Sequence, residues 1–416
     1  MRVTEHVAGQ LAVECSAMIT RREMILATGT AGSIAAQRAD RPFDMVIRNG
    51  EVRDPARSLK VRADIAIRDG KIAAIESTIP AEKALEVVDA RGLFVVPGLV
   101  DLHSHIYFGG GSVPSIEADP VAARSGVTTW VDAGSFAFDN VAGFKRYIVD
   151  RSQVRVFGFV YLYPASRDPQ IDAVKYVRSV MKQTADAVRQ NPEYLLGVKL
   201  QVGANMNGRY SPEFLKIARE LCDTHKLKLM VHISDAPPEV PFIMDQMRTG
   251  DIITHAYTGH GTSLTDAGGK LKPGVAEARA RGVIFDLGHG LGSFNFGEAR
   301  KCLDAGFPVD TISSDIYARN IEGPVYDLPT TMSKLLYLGM SFEDVLLRST
   351  VNPAKVIGRV EGMGTLSVGA LADVALLALE NGQFRLVDSQ RNAVTAQQRI
   401  ACRLTICRGK RVQAPL

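Results

Sequence analysis

Residues 95–105 read VVPGLVDLHSH, a short apolar run of strand length that ends in two histidines one residue apart. Side chains at i and i+2 leave a strand on the same face, so His103 and His105 project together from its end. Seven further runs of this kind follow: GVTTWVDAG (126–134), VRVFGFVYLYP (154–164), LLGVKLQVG (195–203), LKLMVHIS (227–234), DIITHAYTG (251–259), GVIFDLGHG (282–290) and DTISSDIY (310–317). Most are rich in Val, Ile, Leu or Phe and open into a loop containing Gly or Pro. Amphipathic stretches of helix length, such as PEFLKIARELCDTHK (212–226) and FGEARKCLDAG (296–306), separate several of them. Eight strands alternating with helices over about 270 residues is the arithmetic of an α/β fold of the (β/α)8 TIM-barrel type. A doubly wound open sheet would carry a Gly-rich first turn, and GxGxxG is absent.

On both sides of these runs the texture changes to short alternating segments with turn signals. DMVIRNG (44–50), DIAIRDGKIAAIE (64–76) and EVVDARGLFVVPG (86–98) precede them, and LADVALLALENGQFRLVD (371–388) and CRLTICRGKRV (402–412) follow. Each carries an Asn-Gly, Asp-Gly or Arg-Gly pair, which is hairpin chemistry. Neither end has enough strands to bury a sheet face alone, so residues 43–95 and 365–416 are expected to form one small β-sandwich beside a barrel at 96–364. Residues 1–40 read differently. Thr20-Arg21-Arg22 precedes the weakly apolar stretch MILATGTAGSIAA, which has the parts of a twin-arginine export signal with Met18 as its start. A periplasmic location is expected from it, with cytoplasmic residence as the alternative.

The 49 Lys and Arg nearly balance the 45 Asp and Glu, a net charge of +4, which removes nucleic-acid binding as an inference from composition. Contents of 46% hydrophobic and 23% charged residues exclude wholesale disorder. Cys15, Cys222, Cys302, Cys402 and Cys407 are too few and too scattered for a disulfide scaffold. No apolar run reaches the roughly 18–20 residues of a membrane helix. No nucleic-acid or membrane partner is expected.

Barrel enzymes place their chemistry where strands end and loops begin. Those positions hold His103, His105, Lys199, His232, His255 and Asp315, four of the chain's eight histidines among them. Two imidazoles converging from one strand suit zinc or a similar ion. His232 or His255 alone would more often be a satisfied core histidine, but independent core histidines have no reason to share the same end of three runs. Lys199 lies inside VKLQV, where an unpaired ammonium costs several kcal/mol unless it becomes neutral. A neutral amine can take up carbon dioxide as a carbamate, which can bridge two dications as a carboxylate would. Asp315, in SSDIY, read alone would be a helix N-cap.

PGLVDLHSH, VKLQV, VHIS, ITHAYTG and SSDIY together resemble the metal-ligand strands of the amidohydrolase superfamily, a resemblance covering about residues 43–416. It implies a small-molecule substrate, a homo-oligomer and two divalent metal ions, most often zinc. His103, His105 and Asp315 would hold one, His232 and His255 the other, and carboxylated Lys199 would bridge them. GVTTWVDAG, GVKLQVG, THAYTGHG and SSDIYARN are similar to the dihydroorotase-like deacetylases, which cleave acetyl esters of α-hydroxy carboxylic acids. The resemblance implies hydrolytic removal of an acetyl group from α-acyloxy or N-acyl carboxylic acids, by a metal-bridging hydroxide with Asp315 as general base and acid. Alternatives are a cyclic amidohydrolase of the dihydroorotase or hydantoinase kind, an N-acyl-D-amino-acid deacylase and, more remotely, a non-catalytic scaffold. Dihydroorotases carry HxHxR where this chain has Tyr107 in HSHIYF, and the barrel-type D-acyl deacylases use a cysteine ligand that has no counterpart here. A substrate carboxylate would need a cation or several donors at the mouth. Arg319 is the leading candidate, followed by Arg167 and Asn205, with Tyr163 and His289 placed to steady the carbonyl or leaving group.

Overall fold

The computed structural model describes residues 40–162 and 172–414. The expected export signal lies outside the described residues, as do Tyr163 and Arg167. Among the described residues, no helix is long and apolar enough to cross a membrane.

Two sheets carry the fold. The first takes β1 (Phe43–Asp54), β2 (Leu59–Arg68), β3 (Lys71–Glu76), β4 (Ala84–Asp89) and β5 (Phe94–Pro97) from one end of the chain. The second consists of β6 (Leu99–Ser104), β7 (Val127–Ala133), β8 (Arg155–Tyr161), β9 (Leu195–Gln201), β10 (Lys228–His232), β11 (Ile252–Thr254) and β12 (Ile284–Asp286). From the other end, β13 (Val374–Val387), β14 (Ala393–Cys407) and β15 (Lys410–Arg411) return to the first sheet. Its order is β15-β14-β13-β5-β1-β2-β3, with β4 also paired to β1, so both termini build one unit beside the barrel. Met45, Ile47, Ile65, Ile67, Val374 and Ile406 bury its shared face.

β6 to β12 pair in parallel in chain order. Every residue of β7 and β8 is buried, because a parallel sheet covered by helices has no wet face. Val100, Val131, Phe157, Leu196, Met230 and Ile252, from six different strands, share one apolar cluster on a common face of the sheet.

The eighth run differs from the expected strand. Thr311–Ile316 closes the barrel through two isolated bridges, Asp286 to Thr311 and Ser104 to Ile316, rather than a ladder. The reason is local: Asp315 has φ +48°, in the left-handed region, which interrupts the extended backbone a ladder needs, although the Thr311, Ser313 and Ser314 carbonyls still accept from the amides of Leu287, His289 and Gly290. Turn chemistry at the ends also differs in part from expectation. Asp69-Gly70 and Arg408-Gly409 turn their hairpins, whereas Asn49-Gly50 and Asn381-Gly382 fall inside β1 and β13 at register shifts. Asn49, at φ +65°, makes the former a bulge rather than a turn.

Candidate metal centre

The strand ends bring six side chains together. Lys199 Nζ, from β9, lies 3.1 Å from His103 Nε2 at the end of β6. Asp315 Oδ1 is 3.3 Å from His103 Nε2 and 3.2 Å from His105 Nε2. The His255 ring centroid is 5.1 Å from that of His103 and 4.1 Å from that of His232, which ends β10. Donor atoms of His103, His255 and Asp315 all lie within 4.8 Å of one another, a grouping that cuts across the expected two-metal division. His255 and Asp315 hold left-handed backbone, φ +73° and +48°, which non-glycine residues adopt rarely and most often where function demands it.

Hydrogen bonds behind the rings decide which nitrogen faces inward. The Thr254 hydroxyl donates to Asp286 Oδ2 at 2.8 Å, so its oxygen accepts from His103 Nδ1 at 2.7 Å. Having spent its proton there, neutral His103 keeps a lone pair on Nε2. His255 Nδ1 donates to the Gly288 carbonyl at 2.6 Å, which leaves Nε2 with the lone pair as well. His105 Nδ1 meets Ser135 Oγ at 2.8 Å. Asp132 fixes that serine by accepting from the amides of Ile106, Tyr107, Gly134 and Ser135, so one carboxylate ties the end of β6 to the end of β7. Gly288 is obligatory, since a Cβ there would overlap Thr254 Oγ1 and φ is +51°. Sequence reasoning missed Thr254, Ser135, Asp132 and Asp286. Only the two aspartates carried a signal, as lone carboxylates in apolar runs.

Burial keeps His103, His232 and His255 neutral. It lowers His255 to about 4 and holds His103 and His232 well below the usual histidine range, with Lys199 adding to the effect on both. Burial also brings Lys199 down to about 8, against the pull of Asp315, Asp286 and Asp132. Asp286 rises to about 6 for the same reason, opposed by hydroxyl donors from Thr311, Ser313 and Thr254. Among the described residues, His232 Nε2, His255 Nε2 and Asp315 Oδ1 are buried without a hydrogen-bond partner. Orphaned polar atoms in a dry site are costly, and a divalent cation satisfies several at once. The donor set therefore fits metal ions of the zinc type.

The expected substrate contacts fare unevenly. Arg319 and Asn205 lie exposed on the loops that follow Asp315 and β9. His289 is fully buried, with Nδ1 bonded to the Gly290 carbonyl and Nε2 to Lys334 Nζ, so it offers no free nitrogen to a substrate; that expectation is corrected. Tyr107, at the position of the dihydroorotase arginine, packs against Phe136 and Phe144 and is 6% exposed, so no cation occupies it.

Comparison with known proteins adds a family. The model of the amidohydrolase family matches residues 94–412. A deacetylase of Agrobacterium fabrum (strain C58) is 33% identical over 326 residues, covering 77% of this chain and 79% of that protein. A deacetylase of Enterococcus faecalis (strain V583) is 31% identical over 374 residues, 88% of this chain and 98% of that protein. A crystal structure described as an adenine deaminase superposes with a TM-score of 0.80 at 31% identity, covering 89% of this chain and 99% of that one.

Proposed function

Because the chain belongs to the amidohydrolase family and is a hydrolase, we propose that it is a two-metal deacetylase acting on acetylated small carboxylic acids. The observation that carries the reading is the convergence of the His103 and His255 lone pairs and an Asp315 carboxylate oxygen on one buried space, with the His232 ring against that of His255. His103, His105, His232, His255 and Asp315 would hold the ions. Lys199, after losing a proton and adding carbon dioxide at Nζ, would bridge them. Bound ions would supply Lewis acidity, polarising the acyl carbonyl and lowering the pKa of a water from ~15.7 toward ~7.

The chain's own residues do the remaining work. Asp315, anchored by its amide to the His103 carbonyl at 2.6 Å and by its carbonyl to Asn320 Nδ2 at 2.9 Å, takes the water proton on its carboxylate. It then delivers that proton to the departing alkoxide or amine. Thr254, Gly288 and Ser135 hold the imidazoles in register, so little reorganisation is needed as charge develops. Arg319 and Asn205 are proposed to meet the substrate carboxylate at the mouth.

The relatives' names differ in chemistry, and a substrate panel separates them. Metal-replete protein would be assayed with O-acetyl α-hydroxy acids, N-acetyl D-amino acids, dihydroorotate, hydantoin and adenine. The highest kcat/KM is expected on an acetylated acid. Turnover confined to adenine, or to a cyclic amide, would overturn the substrate class.

A further inference from the structure

Lys334 is a fully buried ammonium that hydrolysis as proposed does not use. It lies in the helix Leu328–Tyr337, which follows the eighth run, and its side chain is 0% exposed. Nζ is 2.6 Å from His289 Nε2 and 2.7 Å from the Pro324 carbonyl. Among the described residues no carboxylate forms an ion pair with it, although Asp388 and Asp327 act on it from further away. Because His289 Nδ1 donates to the Gly290 carbonyl at 2.8 Å, Nε2 must accept, and the proton between Nε2 and Nζ belongs to the lysine. The imidazole also stacks on Phe294, with centroids 4.7 Å apart and planes at 26°.

The two groups that Lys334 grips belong to different loops. His289 follows β12, beside Gly288, whose carbonyl accepts from His255, and Gly290, which lies so close to Asp315 that a Cβ would overlap Oδ2. Pro324 belongs to the loop leaving Asp315, where Asn320 accepts at its carbonyl from the amides of Gly323, Val325 and Tyr326 and donates to the Asp315 carbonyl. Within the barrel the same two segments touch through Gly290 N and the Ser314 carbonyl, 3.0 Å apart. An apolar side chain of similar volume would fill this space at lower cost than an ammonium, so packing alone does not account for a lysine.

We propose that Lys334 is a positioning residue for the metal centre: it rivets the loop after β12 to the loop after Asp315, and so sets the placement of His255 and Asp315 relative to each other. Burial, which lowers its ammonium to about 7, makes the charge expensive to keep and fits a role beyond filling space. The inference rests on the metal-centre reading of His255 and Asp315.

Cobalt(II) substitution tests it, because the visible spectrum reads ligand geometry without turnover. Wild-type protein is the control: if it binds no cobalt, the metal-centre reading itself fails. Lys334→Met is expected to fold and bind cobalt, with an altered spectrum. On the best substrate its kcat should fall about 10- to 100-fold with KM within about twofold, the range of losses when groups behind metal ligands are removed. His289→Phe keeps the stacked ring but removes the acceptor, and should reproduce both changes, with little added in the double variant. A wild-type spectrum and kcat in either folded variant would overturn the inference. So would failure of both variants to fold, which would make the pair a requirement of the fold instead.

Discussion

Thr254 shows how much of this site depends on a residue with no chemistry of its own. By giving its one proton to Asp286 it compels His103 to donate from Nδ1, and so points the Nε2 lone pair at Lys199 and Asp315. Thr254→Val, nearly equal in volume, removes that instruction. Metal affinity measured by competition with a chelator should fall about 10- to 100-fold, and Thr254→Ser should restore most of it. Unchanged affinity in the valine variant would mean that the ring is oriented by packing alone. Asp315→Asn keeps the shape and removes the proton acceptor. Steady-state rates should drop by about 10²- to 10⁴-fold while circular dichroism shows a folded chain, and retained wild-type turnover would remove Asp315 from the chemistry. The two differ in legibility. His103, His105, Lys199, His232, His255 and Asp315 stand out as polar residues ending apolar runs, whereas Thr254 is a β-branched residue on a strand, like many others, and its role exists only once β11 and β12 are side by side.

At the scale of elements, the loop after β12 is held from two directions. Lys334 grips it from the helix side, and the tip of the β13–β14 hairpin grips it from the terminal sheet. Ser389 N donates to the Phe294 carbonyl at 2.9 Å, Ser389 Oγ accepts from Phe294 N at 3.0 Å, and Asn295 Nδ2 donates to Gln390 Oε1 at 2.7 Å. Strands of 14 and 15 residues, longer than the rest of their sheet, are what carry that tip to the barrel's active end. The sequence shows the alternation of these strands but not their reach, because Asn381-Gly382 reads as a turn and only pairing across the register shift shows that β13 continues through it. Lys334 gives this region a pH signature. Burial lowers it from 10.5 to about 7, with Asp388 and Asp327 opposing and His289 its nearest ring. Between those values the unfolded chain binds more protons than the folded one, so the lysine's contribution to stability is complete above the unfolded value and lost as pH falls through about 7. In chelator-treated protein, the urea midpoint of wild type relative to Lys334→Met should rise from pH 7 to pH 10; a difference that stays flat would show that the ammonium is not desolvated.

Over the whole molecule, the barrel was legible from its eight apolar runs because buried parallel strands leave an uninterrupted apolar trace. The eighth run misled in detail, since Asp315 leaves the extended conformation, at φ +48°, to bring its carboxylate to the histidines, and two isolated bridges stand where a ladder was expected. That exchange of regular pairing for chemistry is the expected pattern where local rules and function conflict. Metal content per chain tests most directly whether the six converging side chains are a metal centre. Elemental analysis of protein reconstituted with zinc in bicarbonate buffer should give about two divalent ions per wild-type chain, the stoichiometry of a two-metal hydrolase, and a clear loss in folded Lys199→Ala. Folded wild-type protein that binds no divalent ion under those conditions would contradict the account.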